Sequence, residues 1–262
     1  MFDKYLDIAI NASLISGKSI LKVYKNDKID SELKSDLSPL TLADKNSHIE
    51  IVKILEKTGI PILSEEGRNI PFEERRKWKI FWLIDPLDGT KEFIKKNGDF
   101  TVNIALIEDN EPVLGVIYVP VTKEIYFATK GKGAYITKLK SEDDFDYNEA
   151  IKLPINVKRE NYVVVASRSH LNDETKEYIS NIEQNKEKVE LLSRGSSLKI
   201  CMVAEGKADI YPRFGPTMEW DIAAGHAIAI ESGCSFTHAD EQTPIKYNKE
   251  NLLNPYFIVK RG

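Results

Sequence analysis

Apolar positions recur every three to four residues along the first stretch of the chain. Leu6, Ala9, Ile10, Leu14, Leu21 and Tyr24 fall near one face and predict an amphipathic helix over residues 1–25. A polar loop, NDKIDSELKSDLSP, separates it from a second periodic segment, TLADKNSHIEIVKILEKTG. That segment predicts a helix with Ile51 and Leu55 inward and Gly59 as its stop. PILSEE reads as a short strand ending in two glutamates, Gly67–Lys79 as a charged, exposed loop, and IFWLI as a central strand that stops at Asp85. A short helical segment, TKEFIKK, follows. The runs FTVNIALI, PVLGVIYVP and KEIYFATK then alternate with turn signals at EDNEP, PVTK and GKGAY, which predicts an antiparallel sheet.

Beyond a polar connector at 141–149 the pattern changes. Strand-like NYVVVAS, VELLSR and ADIYPRF alternate with helix-like DETKEYISNIEQ, SSLKICMVAEG and WDIAAGHAIAIESG, which predicts an α/β layer. The chain therefore divides into an α+β half over residues 1–155 and an α/β half over residues 156–262. The small residues of IAAGHAIAI predict close packing against another element.

Composition narrows the classes. With 37 Lys+Arg against 41 Asp+Glu the net charge is −4, and the lysines are scattered, so no footprint for a nucleic acid polymer is present. Two cysteines without CxxC spacing, Cys201 and Cys234, predict reduced, buried thiols. The first residues, MFDKYLDIAI, lack the layout of a signal peptide, and no apolar run reaches membrane-spanning length. The expected location is the cytoplasm.

Three acidic sites stand where elements should change: Glu65 with Glu66, Asp85 with Asp88, and Asp221. Each has a plain reading as a solvated strand end, a turn or a helix cap. The stretch WLIDPLDGT changes the balance. Pro86 fixes its own φ and Gly89 permits a conformation closed to other residues, so the turn can aim both carboxylates and the Leu87 carbonyl at one point. Hard divalent cations take such oxygen ligands. Behind them, the N–H groups of Gly89 and Thr90 open the next helix and offer a seat for a phosphate oxygen. These are the parts of a metal-assisted phosphoesterase. The DxxDGT spacing is one residue longer than the DxDGT of dehalogenase-type phosphatases, whose first Asp is a covalent nucleophile.

SEE at 64–66, WLIDPLDGTKEF at 82–93 and EWDIAAGHAI at 219–228, with SPLTLAD at 38–44 and GKGAY at 131–135, resemble the inositol monophosphatase superfamily of Mg²⁺-dependent, lithium-sensitive phosphatases. DGTKEFIKKNGDFTVNIALIED, SRSHLND, GSSLKICMVAEGKADIYPRFGPTMEWDIAAGHA and LLNP are similar to its 3′(2′),5′-bisphosphate nucleotidase branch. The resemblance implies a layered αβαβα sandwich and a set of roles. Glu65, Asp85, the Leu87 carbonyl, Asp88 and Asp221 would ligate two or three Mg²⁺ ions. Thr90, hydrogen-bonded to Asp44, would orient and help deprotonate the attacking water; Asp44 can equally cap the helix that follows it. His170, Ser196, Lys199 and Arg213, with Gly89, Thr90 and Asp221, would contact a bisphosphorylated nucleotide. The expected substrate is adenosine 3′,5′-bisphosphate, with 3′-phosphoadenylyl sulfate as a related one and inositol or sugar phosphates as the alternative. A nucleotide sensor without turnover is a remoter one. The inositol branch carries an acidic residue several positions before the WD pair; here Phe214 and Gly215 occupy that region and Glu219 adjoins Trp220. Oligomeric state stays open, as does peripheral attachment at the inner membrane face, for which no anchor is visible.

Overall fold

The computed structural model describes residues 3–26, 29, 31–33, 39–141, 144–155, 159–167 and 172–262. Helix α1 (Asp3–Tyr24) is followed by a two-stranded ribbon, β1 (Ser31–Leu33) with β2 (Pro39–Thr41), and by α2 (Leu42–Leu55). Strand β3 (Ile62–Ser64), helix α3 (Phe72–Arg75), strand β4 (Ile80–Asp88) and helix α4 (Thr90–Ile94) lead into the meander β5 (Thr101–Glu108), β6 (Glu111–Val119), β7 (Glu124–Thr129), β8 (Gly133–Lys138) and β9 (Ile151–Lys152). These strands form one seven-stranded sheet in the order β3 to β9, antiparallel except for the β3–β4 pair. The rest of the chain runs β10 (Tyr162–Ser167), α5 (Asp173–Asn185), β11 (Val189–Arg194), α6 (Leu198–Glu205), β12 (Ile210–Arg213), α7 (Glu219–Glu231), β13 (Ser235–His238) and β14 (Phe257–Lys260). Its five strands are ordered β11-β10-β12-β14-β13, with β13 and β14 antiparallel.

The layers follow from alternation along buried strands. On β4, Trp82 and Ile84 pack with α1 and α2, while Phe81 and Leu83 join the core shared with α6 and α7. On β10, Val163 and Val165 join that same middle core, and Val164 and Ala166 face a smaller one that includes Ile179 of α5. Helix, sheet, helix, sheet and helix thus stack as an αβαβα sandwich. Strands buried on both faces read as continuous apolar runs, which is why IFWLI and NYVVVAS stood out.

The small residues of α7 meet the backbone of the large sheet. A Cβ on Gly115 of β6 would lie 2.3 Å from the Ala224 carbonyl oxygen, and one on Gly225 would lie 2.8 Å from Ile200 of α6. Both cysteines are free and buried. No helix among the described residues is long and apolar enough to cross a membrane.

Several elements differ from the sequence reading. β4 runs on through Asp88 rather than stopping at Asp85. The segment read as an exposed loop holds α3, whose Arg75 is buried because its guanidinium donates to Asn248 Oδ1 and the Glu250 carbonyl. β13 and β14 were not anticipated, so the second sheet is mixed. TKEFIKK forms only five helical residues.

Candidate active site

Glu65 follows β3 directly, and its N–H donates to the Ile84 carbonyl of β4 at 3.2 Å, which sets it beside Asp85. Their carboxyl groups share a hydrogen bond. A straight strand would send Asp85 and Asp88 to opposite faces, since they are an odd number of residues apart. The ladder corrects this. Asp85 pairs with Asn103 and Asp88 with Thr101, so three steps on β4 match two on β5, and the bulge between them returns Asp88 to the face of Asp85. That face looks towards α7, where Asp221 sits in the first turn.

Helix α2 holds the turn from the other side. Ser47 Oγ donates to the Pro86 carbonyl at 2.6 Å, and Thr90 Oγ1 lies 3.0 Å from Asp44 Oδ1 and 3.3 Å from the Leu87 carbonyl. Asp44 is 1% exposed, and its second oxygen accepts from the Thr41 N–H at 2.8 Å, which makes it both the capping-box residue of α2 and the partner of Thr90. Asp221 is arranged alike: its Oδ2 accepts from the Met218 N–H at 2.8 Å at the start of α7. The cap and site readings of these two aspartates are therefore compatible, one oxygen serving each helix.

Burial pushes Asp85 well above the usual carboxylate range, and the charges of Glu65, Asp88 and Asp221 push it further. Burial raises Asp221 too, with Asp88 and Glu65 adding to it. Among the described residues no three His, Cys, Asp or Glu side chains are already drawn together tightly enough to hold an ion. Glu65, Asp88 and Asp221 border a common space, Asp88 and Asp221 each tied back by protein donors. An oxygen-only donor set with excess negative charge nevertheless fits a hard divalent cation, which would relieve the mutual repulsion.

The opposite wall comes from the second half of the chain. Glu65, Asp88, Thr90 and Asp221 share a cavity of about 340 Å³ with Lys199 and Arg213. Asp85, Leu87 and Asp44 lie behind its surface. Lys199 is 5% exposed; its Nζ donates to the Ser196 carbonyl at 2.6 Å and lies 5.3 Å from the centre of the Tyr211 ring. Burial lowers its pKa to about 8, Asp88 partly restoring it and Arg213 opposing. Arg213 donates to the Pro216 carbonyl at 2.9 Å.

The loop of Gly195, Ser196 and Ser197 closes onto the DGT turn. A Cβ on Gly89, where φ is +91°, or on Gly195 would lie 3.0 Å from the Asp99 carbonyl oxygen, so a larger residue at Gly89 is strained and one at Gly195 would press the two segments apart. Ser196 Oγ and the Ser197 N–H each donate to Asp88 Oδ2 at 2.6 Å. Ser196 therefore reaches an expected metal ligand. His170 lies outside the described residues. Thr101, Asn103 and Ser197 were not singled out from the sequence. Their signal was polar residues at alternate positions of an otherwise apolar strand, TVNIALI, and a second serine in GSS.

Comparison with known proteins accords with this architecture. The inositol monophosphatase family matches residues 1–260, and the chain belongs to that family, which is metal-dependent. It is 44% identical to the 3′(2′),5′-bisphosphate nucleotidase CysQ of Salmonella typhimurium LT2 over 99% of both chains. It is 43% identical to the CysQ of Escherichia coli K12 over the same share. The crystal structure of CysQ from Bacteroides thetaiotaomicron superposes with a TM-score of 0.92 at 50% identity, covering 100% of this chain and 98% of that one.

Proposed function

We propose that this protein is a Mg²⁺-dependent 3′(2′),5′-bisphosphate nucleotidase that hydrolyses adenosine 3′,5′-bisphosphate to AMP and phosphate, and acts on 3′-phosphoadenylyl sulfate as a related substrate. The observation that carries the reading is one cleft with carboxylates on one wall and Lys199 with Arg213 on the other. The full-length likeness to CysQ nucleotidases supports it.

Glu65, Asp85, the Leu87 carbonyl, Asp88 and Asp221 would hold the magnesium ions, two or three in number. When bound, magnesium supplies Lewis-acid stabilisation of charge on the phosphoryl oxygens and acidifies water. Thr90 Oγ1 receives the proton of the attacking water as it passes its own to Asp44 Oδ1, a relay that the 3.0 Å contact permits without movement. Asp44 is prepared for this because its other oxygen is fixed by Thr41. The N–H groups of Gly89 and Thr90 orient the reacting phosphoryl group. Lys199 and Arg213 give charge-assisted hydrogen bonds to the second phosphate, with His170 and Ser196 completing the nucleotide contacts.

Glu219 bears on the alternative substrate. It is fully buried, accepting from the N–H groups of Asn248 and Lys249 at 2.7 and 3.0 Å and paired with Lys249 Nζ at 2.6 Å. It is thus unavailable to sugar hydroxyls, which favours the nucleotide over inositol phosphate. The test is a Mg²⁺-dependent assay on adenosine 3′,5′-bisphosphate, inositol 1-phosphate and fructose 1,6-bisphosphate. A larger kcat/KM for the nucleotide is expected; preference for either sugar phosphate would reject the substrate assignment.

A further inference from the structure

Beneath Asp88 lies a buried set of polar side chains that belongs to neither wall alone. Thr101 and Asn103 come from β5 and are 0% and 1% exposed; Ser197 comes from the loop before α6 and is 3% exposed. Thr101 Oγ1 and Ser197 Oγ both donate to Asn103 Oδ1 at 2.9 Å. Thr101 Oγ1 also lies 2.7 Å from Ser196 Oγ and 2.8 Å from Ser197 Oγ. With its carbonyl taken by hydroxyls, Asn103 must turn its amide nitrogen to the acidic side, where it faces Asp88 Oδ2 at 3.4 Å and the Asp221 carbonyl at 3.5 Å.

The donors converge on one atom. Ser196 Oγ, the Ser197 N–H and Asn103 Nδ2 all address Oδ2 of Asp88. The arrangement is maintained at a cost, since Ser196 has φ of +54°, a left-handed conformation disfavoured for a residue with a Cβ. Lys199 Nζ fastens that same residue by its carbonyl. A set that served only to fill the core would have no reason to end on a cleft carboxylate from two strands and a strained loop.

We propose that Thr101, Asn103 and Ser197 are positioning residues that fix Oδ2 of Asp88, direct its other oxygen to the bound cation, and so link the loop leading into α6, the helix of Lys199, to cation affinity. This rests on the assignment of Asp88 as a metal ligand. Buried groups that orient a ligand in this way typically change metal affinity by roughly 10–100-fold when removed.

Thr101 is the cleanest probe because, although it pairs with Asp88 across the ladder, its hydroxyl bonds to Asn103, Ser196 and Ser197 rather than to the Asp88 carboxylate. Thr101→Val keeps the shape and deletes the hydroxyl; Thr101→Ser keeps the hydroxyl. Mn²⁺ binding to the substrate-free protein, followed by electron paramagnetic resonance, reads affinity directly, with kcat and KM measured alongside. Thr101→Val is expected to bind Mn²⁺ about tenfold more weakly, and Thr101→Ser to recover most of that loss. Wild-type affinity in Thr101→Val, or equal losses in both variants, would overturn the proposal. Should Thr101→Val fail to fold, Ser197→Ala carries the same expectation, and unchanged Mn²⁺ affinity there overturns it equally. Asp88→Asn separates the two layers of the argument. If that variant binds Mn²⁺ normally, the metal assignment itself fails; if it loses Mn²⁺ while Thr101→Val does not, only the positioning role fails.

Discussion

The acidic wall of the cleft rests on β4, buried from Phe81 through Leu87, whereas the basic wall rests on the Gly195–Ser197 loop and the side chains that follow it. On the acidic side the backbone does the placing. Strand pairing, a bulge and the Ser47 contact fix where Asp85 and Asp88 stand. On the basic side the reach of long side chains does it: Lys199 and Arg213 meet the cleft from a helix and a strand end, each tethered by one carbonyl. On the proposed reading, chemistry that needs oxygens at fixed positions would sit on the rigid side, and recognition of a second phosphate on the adaptable one.

This contrast predicts graded responses. The largest belongs to the rigid wall. Asp88→Asn should lower Mg²⁺-dependent turnover by roughly three orders of magnitude while circular dichroism and melting temperature stay near wild type. Normal turnover would remove Asp88 from the metal site. Thr90→Ala should cost about 10²-fold in kcat with metal affinity unchanged, because it removes a proton relay and no ligand. A wild-type kcat would exclude that relay.

The adaptable wall should respond in KM. Lys199→Gln is expected to raise KM for the bisphosphorylated nucleotide by about 10–100-fold, the worth of one charge-assisted hydrogen bond, and to leave inositol 1-phosphate kinetics nearly untouched. Equal losses on both substrates would sink the distinction between the walls. The same lysine gives a pH signature. With a pKa lowered to about 8 it is charged below that value and neutral above it, so kcat/KM for the nucleotide should fall as pH rises through 8, and Lys199→Gln should lack that limb. The smallest effect is structural. Gly115→Ala should lower stability by about 1–3 kcal/mol in urea unfolding, through the forced contact with the Ala224 carbonyl.

Much of the rigid wall was legible in the chain, because DPLDGT is local: apolar run, proline, glycine and two aspartates lie within nine residues of sequence. The layered sandwich was legible through double-faced strands and through the resemblance. What could not be read was register. Nothing in WLIDPLDGT states that Asp85 meets Asn103 and Asp88 meets Thr101, so the bulge could not be foreseen, and the alternate polar residues of TVNIALI could not be matched to these partners. Arg75 escaped for a related reason. Its partners, Asn248 and Glu250, are distant in sequence, and a charged stretch reads as solvated until they are known. The pair β13–β14 lacked the alternation with helices that marked its neighbours.

Asp44 and Asp221 each give one oxygen to the opening of a helix. The starts of α2 and α7 are therefore wired to whatever engages the remaining oxygens. Loading the cleft should damp fraying of both first turns, and amide hydrogen exchange at the Thr41 and Met218 N–H groups should slow together when Mg²⁺ and nucleotide are added. An alanine at either position would remove a helix cap together with the proposed ligand or relay, so asparagine, which preserves the cap acceptor, is the substitution able to tell architecture from chemistry there.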